Sequence, residues 1–155
     1  MLITTYLRDH HMGSAAGVDF FRRVAETHGE REVRDAVGRL ADEIEEDQAA
    51  LQEILDSFDA SPNPVKDVLA KVGEKAARLK PNQRLGSRSP LSDVLDLEVL
   101  TDAVHAKSRG WQILLELDHP NLDRERLQQL FDRARRQEEE LEALWLQQAP
   151  KLLAE

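Results

Sequence analysis

Val33, Val37, Leu40, Ile44, Asp47, Leu51, Ile54 and Phe58 follow one another at alternating intervals of four and three residues. That spacing puts all of them on one face of an α-helix. A long helix with a single apolar stripe must bury it against another element, and the commonest solution for a chain rich in such stripes is helix on helix. The aspartate in the middle of the seam is the one polar residue in it. Buried there, it demands a partner.

The rest of the chain repeats the pattern. Ile3, Tyr6, His10, Gly13, Gly17, Phe20 and Val24 read as the inner face of a first helix over about 2–28. Gly29 is expected to close that helix in the left-handed conformation. The second helix then runs over about 30–59, with early acids suited to the positive end of its dipole. "DASPNPVKD" breaks the period, and Asn63-Pro64 opens a predicted short helix over about 64–79, with Val65, Leu69, Val72 and Ala76 inward. "KPNQRLGSRSP" is dense in loop formers. Ser89-Pro90 caps a third helix over about 90–117, and "DHPN" separates it from a fourth over about 122–149. The predicted fold is all-α: one domain over 1–155, a four-helix bundle of two antiparallel hairpins joined by a long connector that carries the short helix.

Composition narrows the function classes. A net charge of −9, with basic pairs interleaved among acids, disfavours binding to phosphate backbones, so no nucleic-acid partner is expected. No cysteine is present, which removes disulfide and thiolate-metal readings. No stretch reaches the roughly 20 apolar residues of a membrane span. Neither a membrane partner nor a signal peptide is expected, and the default reading is a cytoplasmic protein with a homodimer as one possible assembly.

The polar residues that interrupt the seams form the candidate site. Folding the first hairpin about Gly29 sets His10 opposite the Asp47–Gln48 turn. Folding the second about Pro120 brings Asp102, His105 and Glu138 within one helical turn, with Glu98 on the same side of the third helix. If the connector crosses the length of the bundle, His10, Asp47, His105 and Glu138 fall at one height. His11, turned about 100° from His10, is expected to be exposed. His28 and His119 fall at helix ends, and Trp111 and Trp145 read as core or interface aromatics. Gly13 and Gly17 cost about 1 kcal/mol each in helix stability relative to alanine. Close helix packing is the preferred reason for them, and room beside His10 the other.

This layout resembles the ferritin-like superfamily: four long helices in two hairpins, a long second connection and polar residues projecting inward. The resemblance implies a site for iron or manganese, with His10, Asp47, His105 and Glu138 as ligands and Glu43, Glu98 and Asp102 in reserve. Imidazole and carboxylate suit those metals. The family's Glu-x-x-His motif is absent: the second helix has Glu43-Ile44-Glu45-Glu46-Asp47, the third Asp102-Ala103-Val104-His105, and the fourth Gln137-Glu138-Glu139-Glu140. The leading expectation is therefore a non-catalytic bundle with a buried His/Asp polar layer that acts through protein contacts. A divergent metal protein with oxidation, peroxide or storage chemistry is the alternative. An acid–base enzyme built on a His10–Asp47 dyad is a third reading, without a visible substrate site.

Overall fold

The computed structural model describes residues 1–58 and 88–154. Among them the chain forms four long helices, α1 (Leu2–Thr27), α2 (Arg31–Phe58), α3 (Pro90–Leu115) and α4 (Arg124–Leu146), then a 3-10 turn over Ala149–Leu153, and no strand. No helix is long and apolar enough to cross a membrane among the described residues. The short helix expected over 64–79 lies outside the described residues.

Local chemistry sets the helix ends. The Ser89 and Ser92 hydroxyls cap each other's backbone N–H groups in a reciprocal box, with Pro90 in the first turn of α3. Asp123 opens α4 by accepting from the Arg126 N–H at 3.1 Å. That helix stops at Leu146, short of the expected 149, because the Pro150 ring would collide with the carbonyl four residues before it. The end of α1 corrects the sequence reading. Its last residue is followed by His28 at φ −57° and ψ 142°, an extended backbone, and Gly29 is not in the left-handed region. Glycine is needed there for a different reason: a Cβ on Gly29 would lie 2.6 Å from Asp93 Oδ2.

The inner face of α1 also differs from the expected stripe, of which Val24 is buried as expected. Leu7, His11, Phe21 and Val24 are its buried residues. The core face is rotated by about one residue, or 100°, from the Tyr6–His10–Gly13–Gly17 line. Both lines carry apolar residues at helical spacing, so periodicity alone does not choose between them. His11, expected to be exposed, is buried at 4% exposure.

Side-chain pairs record how the helices meet. Along α1 and α2, Arg22 reaches Asp42 and Glu45, and Ala25 faces Gly38. Along α3 and α4, Arg124 donates to the Leu115 carbonyl, Lys107 to Gln137, and His105 meets Glu138. Across α2 and α4, Arg126 pairs with Glu53, Arg133 with Glu46, and Arg39 with Glu140. Phe58 stacks beside His119 between α3 and α4, whereas Arg88 bonds Thr27 at the far end of α1.

The core falls into two clusters. One gathers Phe21, Val37, Leu40, Leu97, Leu100 and Leu141, and the other Leu7, Leu51, Trp111, Leu114, Leu127 and Ala134. Between them, one on each of α2, α3 and α4, lie Asp47, Lys107 and Gln137.

A second buried carboxylate locks one end. Asp93 accepts from the Gly29 N–H at 3.0 Å, from Arg88 at 2.6 and 2.8 Å, and from Lys151 at 2.7 Å. Asp93 thus ties the α1–α2 link, the start of α3 and the C-terminal 3-10 turn together. Burial works to raise its pKa, but Lys151, the Gly29 amide and Arg88 outweigh it and hold the carboxyl at about 2 against an ordinary 3.8. A carboxylate with a depressed folded pKa contributes stability that is whole above its ordinary value and is lost as pH falls through the folded one. The expected size is about 2 kcal/mol. Asp93→Asn should therefore be less stable than the parent in urea at pH 7, and the gap should narrow by about that amount between pH 5 and pH 2. A gap independent of pH would mean that the Asp93 carboxylate is not held as described.

Candidate functional site

The polar layer is built from the seam upward. Asp47 is at 1% side-chain exposure, and its Oδ2 accepts from the Lys107 ammonium at 2.5 Å and from Gln137 Nε2 at 3.3 Å. The other oxygen lies 3.5 Å from Arg133 Nε. Gln137 in turn accepts from Lys107 at 2.5 Å and donates to Glu43 at 3.1 Å. Three helices therefore contribute to one hydrogen-bonded layer. Burial pushes the Lys107 ammonium below its ordinary pKa, while the Asp47 carboxylate works against that shift.

Beside this layer lies a cavity of about 560 Å³. Its α1 wall includes Tyr6, Asp9, His10, Gly13, Ser14 and Gly17, its α3 wall Ala103, Ala106, Lys107 and Gly110, and its floor the α2 residues Ile44, Asp47, Gln48 and Leu51. Gly13, Ala103 and Ala106 are exposed, so the cavity opens between α1 and α3. The lining is chiefly apolar, with Trp111 and Leu114 at one end and Phe21 at the other.

The glycines divide into two kinds. A Cβ on Gly110 would meet the His10 ring at 3.0 Å, so Gly110 is the seat of that imidazole. A Cβ on Gly13 or Gly17 would meet nothing within 4 Å. Close packing, the preferred reading from sequence, does not explain either; they border open space.

The sequence-predicted ligands separate into two places. His10 and Asp47 line the same cavity, but His10 packs on Gly110 and on the Tyr6 ring (centroids 4.6 Å apart), and the Asp47 carboxylate is taken by Lys107 and Gln137. Burial lowers the His10 pKa, with Asp9 opposing, so the ring is neutral near pH 7. His105 and Glu138 meet each other at 2.7 Å outside the cavity, with the His105 side chain 45% exposed and Arg135 also on Glu138. The reserve Glu43 joins Gln137 and Arg136, while Glu98 and Asp102 are exposed on α3. Among the described residues no three His, Asp or Glu side chains gather into a group that can hold a metal ion. An iron or manganese at Asp47 would have to displace an ammonium, so the four expected ligands do not fit one ion.

Lys107 and Asp93 escaped the sequence reading although the signal was present. Lys107 stands three residues after Val104 and four before Trp111, and Asp93 four before Leu97, both in step with the α3 seam. Comparison with protein-family models, with curated proteins and with solved structures returned no match to the chain.

Two outcomes follow from the geometry. Lys107→Met leaves the buried Asp47 without its hydrogen-bonded ammonium, with only Arg133 at 3.5 Å, and should cost about 3 kcal/mol, whereas Asp47→Leu with Lys107→Met should recover most of the loss; urea melts of the three proteins check it. Gly13→Ala and Gly17→Ala should each raise stability by about 1 kcal/mol, because the helix gains and nothing is struck. Gly110→Ala should fall short of that gain, since the His10 ring must move. Destabilisation at Gly13 or Gly17 in the same melts would contradict an open cavity wall.

Proposed function

We propose that the chain is a non-catalytic binding protein, a four-helix bundle of two antiparallel hairpins in the ferritin-like arrangement, that receives a small, largely apolar molecule between α1 and α3. The arrangement is supported by the side-chain pairs, whose residue numbers rise on one helix as they fall on its neighbour. A long second connection is supported by Phe58 and Arg88 standing at opposite ends of the helices.

The observation that carries the function is the cavity itself. At about 560 Å³ it falls within the roughly 300–1,000 Å³ range of small-molecule sites, and it has their character: apolar walls with a few polar groups. The charged side chains of the layer are occupied with one another, so the layer supports binding rather than chemistry.

Toluene tests this reading. In a Trp145→Phe variant, Trp111 at the cavity end is the sole indole and reports on filling. Toluene should produce a saturable change in its emission, and Gly13→Leu with Gly17→Leu, which fills the space, should abolish that change without loss of helical signal. No saturable response in the Trp145→Phe protein would overturn the proposal.

A further inference from the structure

The cavity has a polar pole, and its chemistry selects a class of ligand. An ammonium has three N–H donors. Lys107 spends one on Asp47 Oδ2 and one on Gln137 Oε1, and its third has no partner among the described residues. The side chain lines the cavity and is 17% exposed, whereas Asp47 beneath it is sealed.

The charges around that donor are already balanced. Asp47, Glu43 and Glu46 are matched by Lys107, Arg133 and Arg136, all joined in one network. Adding an anionic head would put a third carboxylate beside Asp47 and Glu43, and adding a cation would set it against Lys107. Each leaves an uncompensated charge in a partly buried place. A neutral oxygen completes the ammonium's hydrogen bonds and disturbs nothing.

The register sets the direction of the apolar part. The pairs Arg22–Glu45 and Ala25–Gly38 put Asp47 level with the Gly17 turn of α1. From there to Tyr6 the cavity runs for about 16 Å at about 1.5 Å per residue, ending on Tyr6, Leu7, Trp111 and Leu114.

We infer that the cavity takes a neutral amphiphile, an apolar body of about ten carbons or equivalent ring system bearing one hydrogen-bond-accepting oxygen, with that oxygen on Lys107 and the body against Trp111. This inference rests on the α1–α3 cavity being a binding site. The probes are 1-decanol, decanoate and decylamine, titrated at pH 7 and followed by Trp111 emission in the Trp145→Phe protein, with toluene alongside.

Decanol should bind about tenfold more tightly than decanoate and still more tightly than decylamine, the difference that one hydrogen bond without a stranded charge makes. In the Asp47→Leu, Lys107→Met background, which keeps a filled core, the ranking should collapse to within about twofold while toluene still binds. Equal affinities in the Trp145→Phe protein, or tightest binding of decanoate or decylamine, would overturn the inference while toluene binding left the site itself standing. A ranking that survives in the Asp47→Leu, Lys107→Met background would remove Lys107 from the recognition. Silence from all four probes would overturn the binding site and the inference together.

Discussion

The Asp47 carboxylate is the constraint around which the helices are arranged. Set in the middle of an otherwise apolar seam, it cannot be buried alone, because an unpaired charge in that position costs several kcal/mol. Lys107 answers it from α3, and Gln137 and Arg133 from α4. The core is divided at this level into the cluster around Phe21 and Leu97 and the cluster around Trp111 and Leu127. A buried pair of this kind adds little net stability over an apolar pair of the same volume. Its effect is on alternatives: any slide of α2 past α3 strands both charges.

No α1 side chain among the described residues bonds to that carboxylate, and the cavity follows from this. α1 is held elsewhere, at one end by the Gly29 amide on Asp93 and along its length by Leu7, Phe21 and Val24 in the two clusters. At the level of the polar layer it presents Gly13 and Gly17, whose missing side chains leave the gap over Asp47 and Lys107 unfilled. The three-helix layer fixes the floor and one wall, while α1 stands off as the other wall. The space therefore opens beside the charges and extends along the apolar cluster of Leu7, Leu51, Trp111 and Leu114.

Much of this was legible in the chain itself, and the failures are instructive. The seam of α2 and the Ser89-Pro90 start of α3 follow directly from spacing and capping chemistry, and Asp47 is buried as the seam requires. His10 and Asp47 line the same cavity. Their expected companions do not join them, because His105 and Glu138 flank the α3–α4 seam and pair on the exposed side. The face of α1 was ambiguous in principle: Leu7–His11–Phe21–Val24 and Tyr6–His10–Gly13–Gly17 are both at helical spacing, and only the neighbouring helices decide which is buried. Lys107 was not legible as a core group, since a lysine ordinarily keeps its ammonium in water. Its step with Val104 and Trp111 was the available signal.

The five described glycines within or between helices show what a missing side chain is for in this protein. Gly29 admits the Asp93 carboxylate and Gly110 seats the His10 ring, whereas a Cβ on Gly38 would make an ordinary contact with Ala25 at 3.8 Å. At Gly29 and Gly110 a neighbouring group occupies the space, and packing offsets part of the penalty of the missing side chain. Gly13 and Gly17 have no such neighbour. Their cost of about 1 kcal/mol each is offset by no contact in the folded chain, although alanine would fit at both. A residue that weakens its own helix and touches nothing is accounted for by what it leaves open. Here that is a mostly apolar space with one unspent ammonium donor at its edge. The same gap therefore explains the weak point of α1 and the binding capacity assigned to the protein.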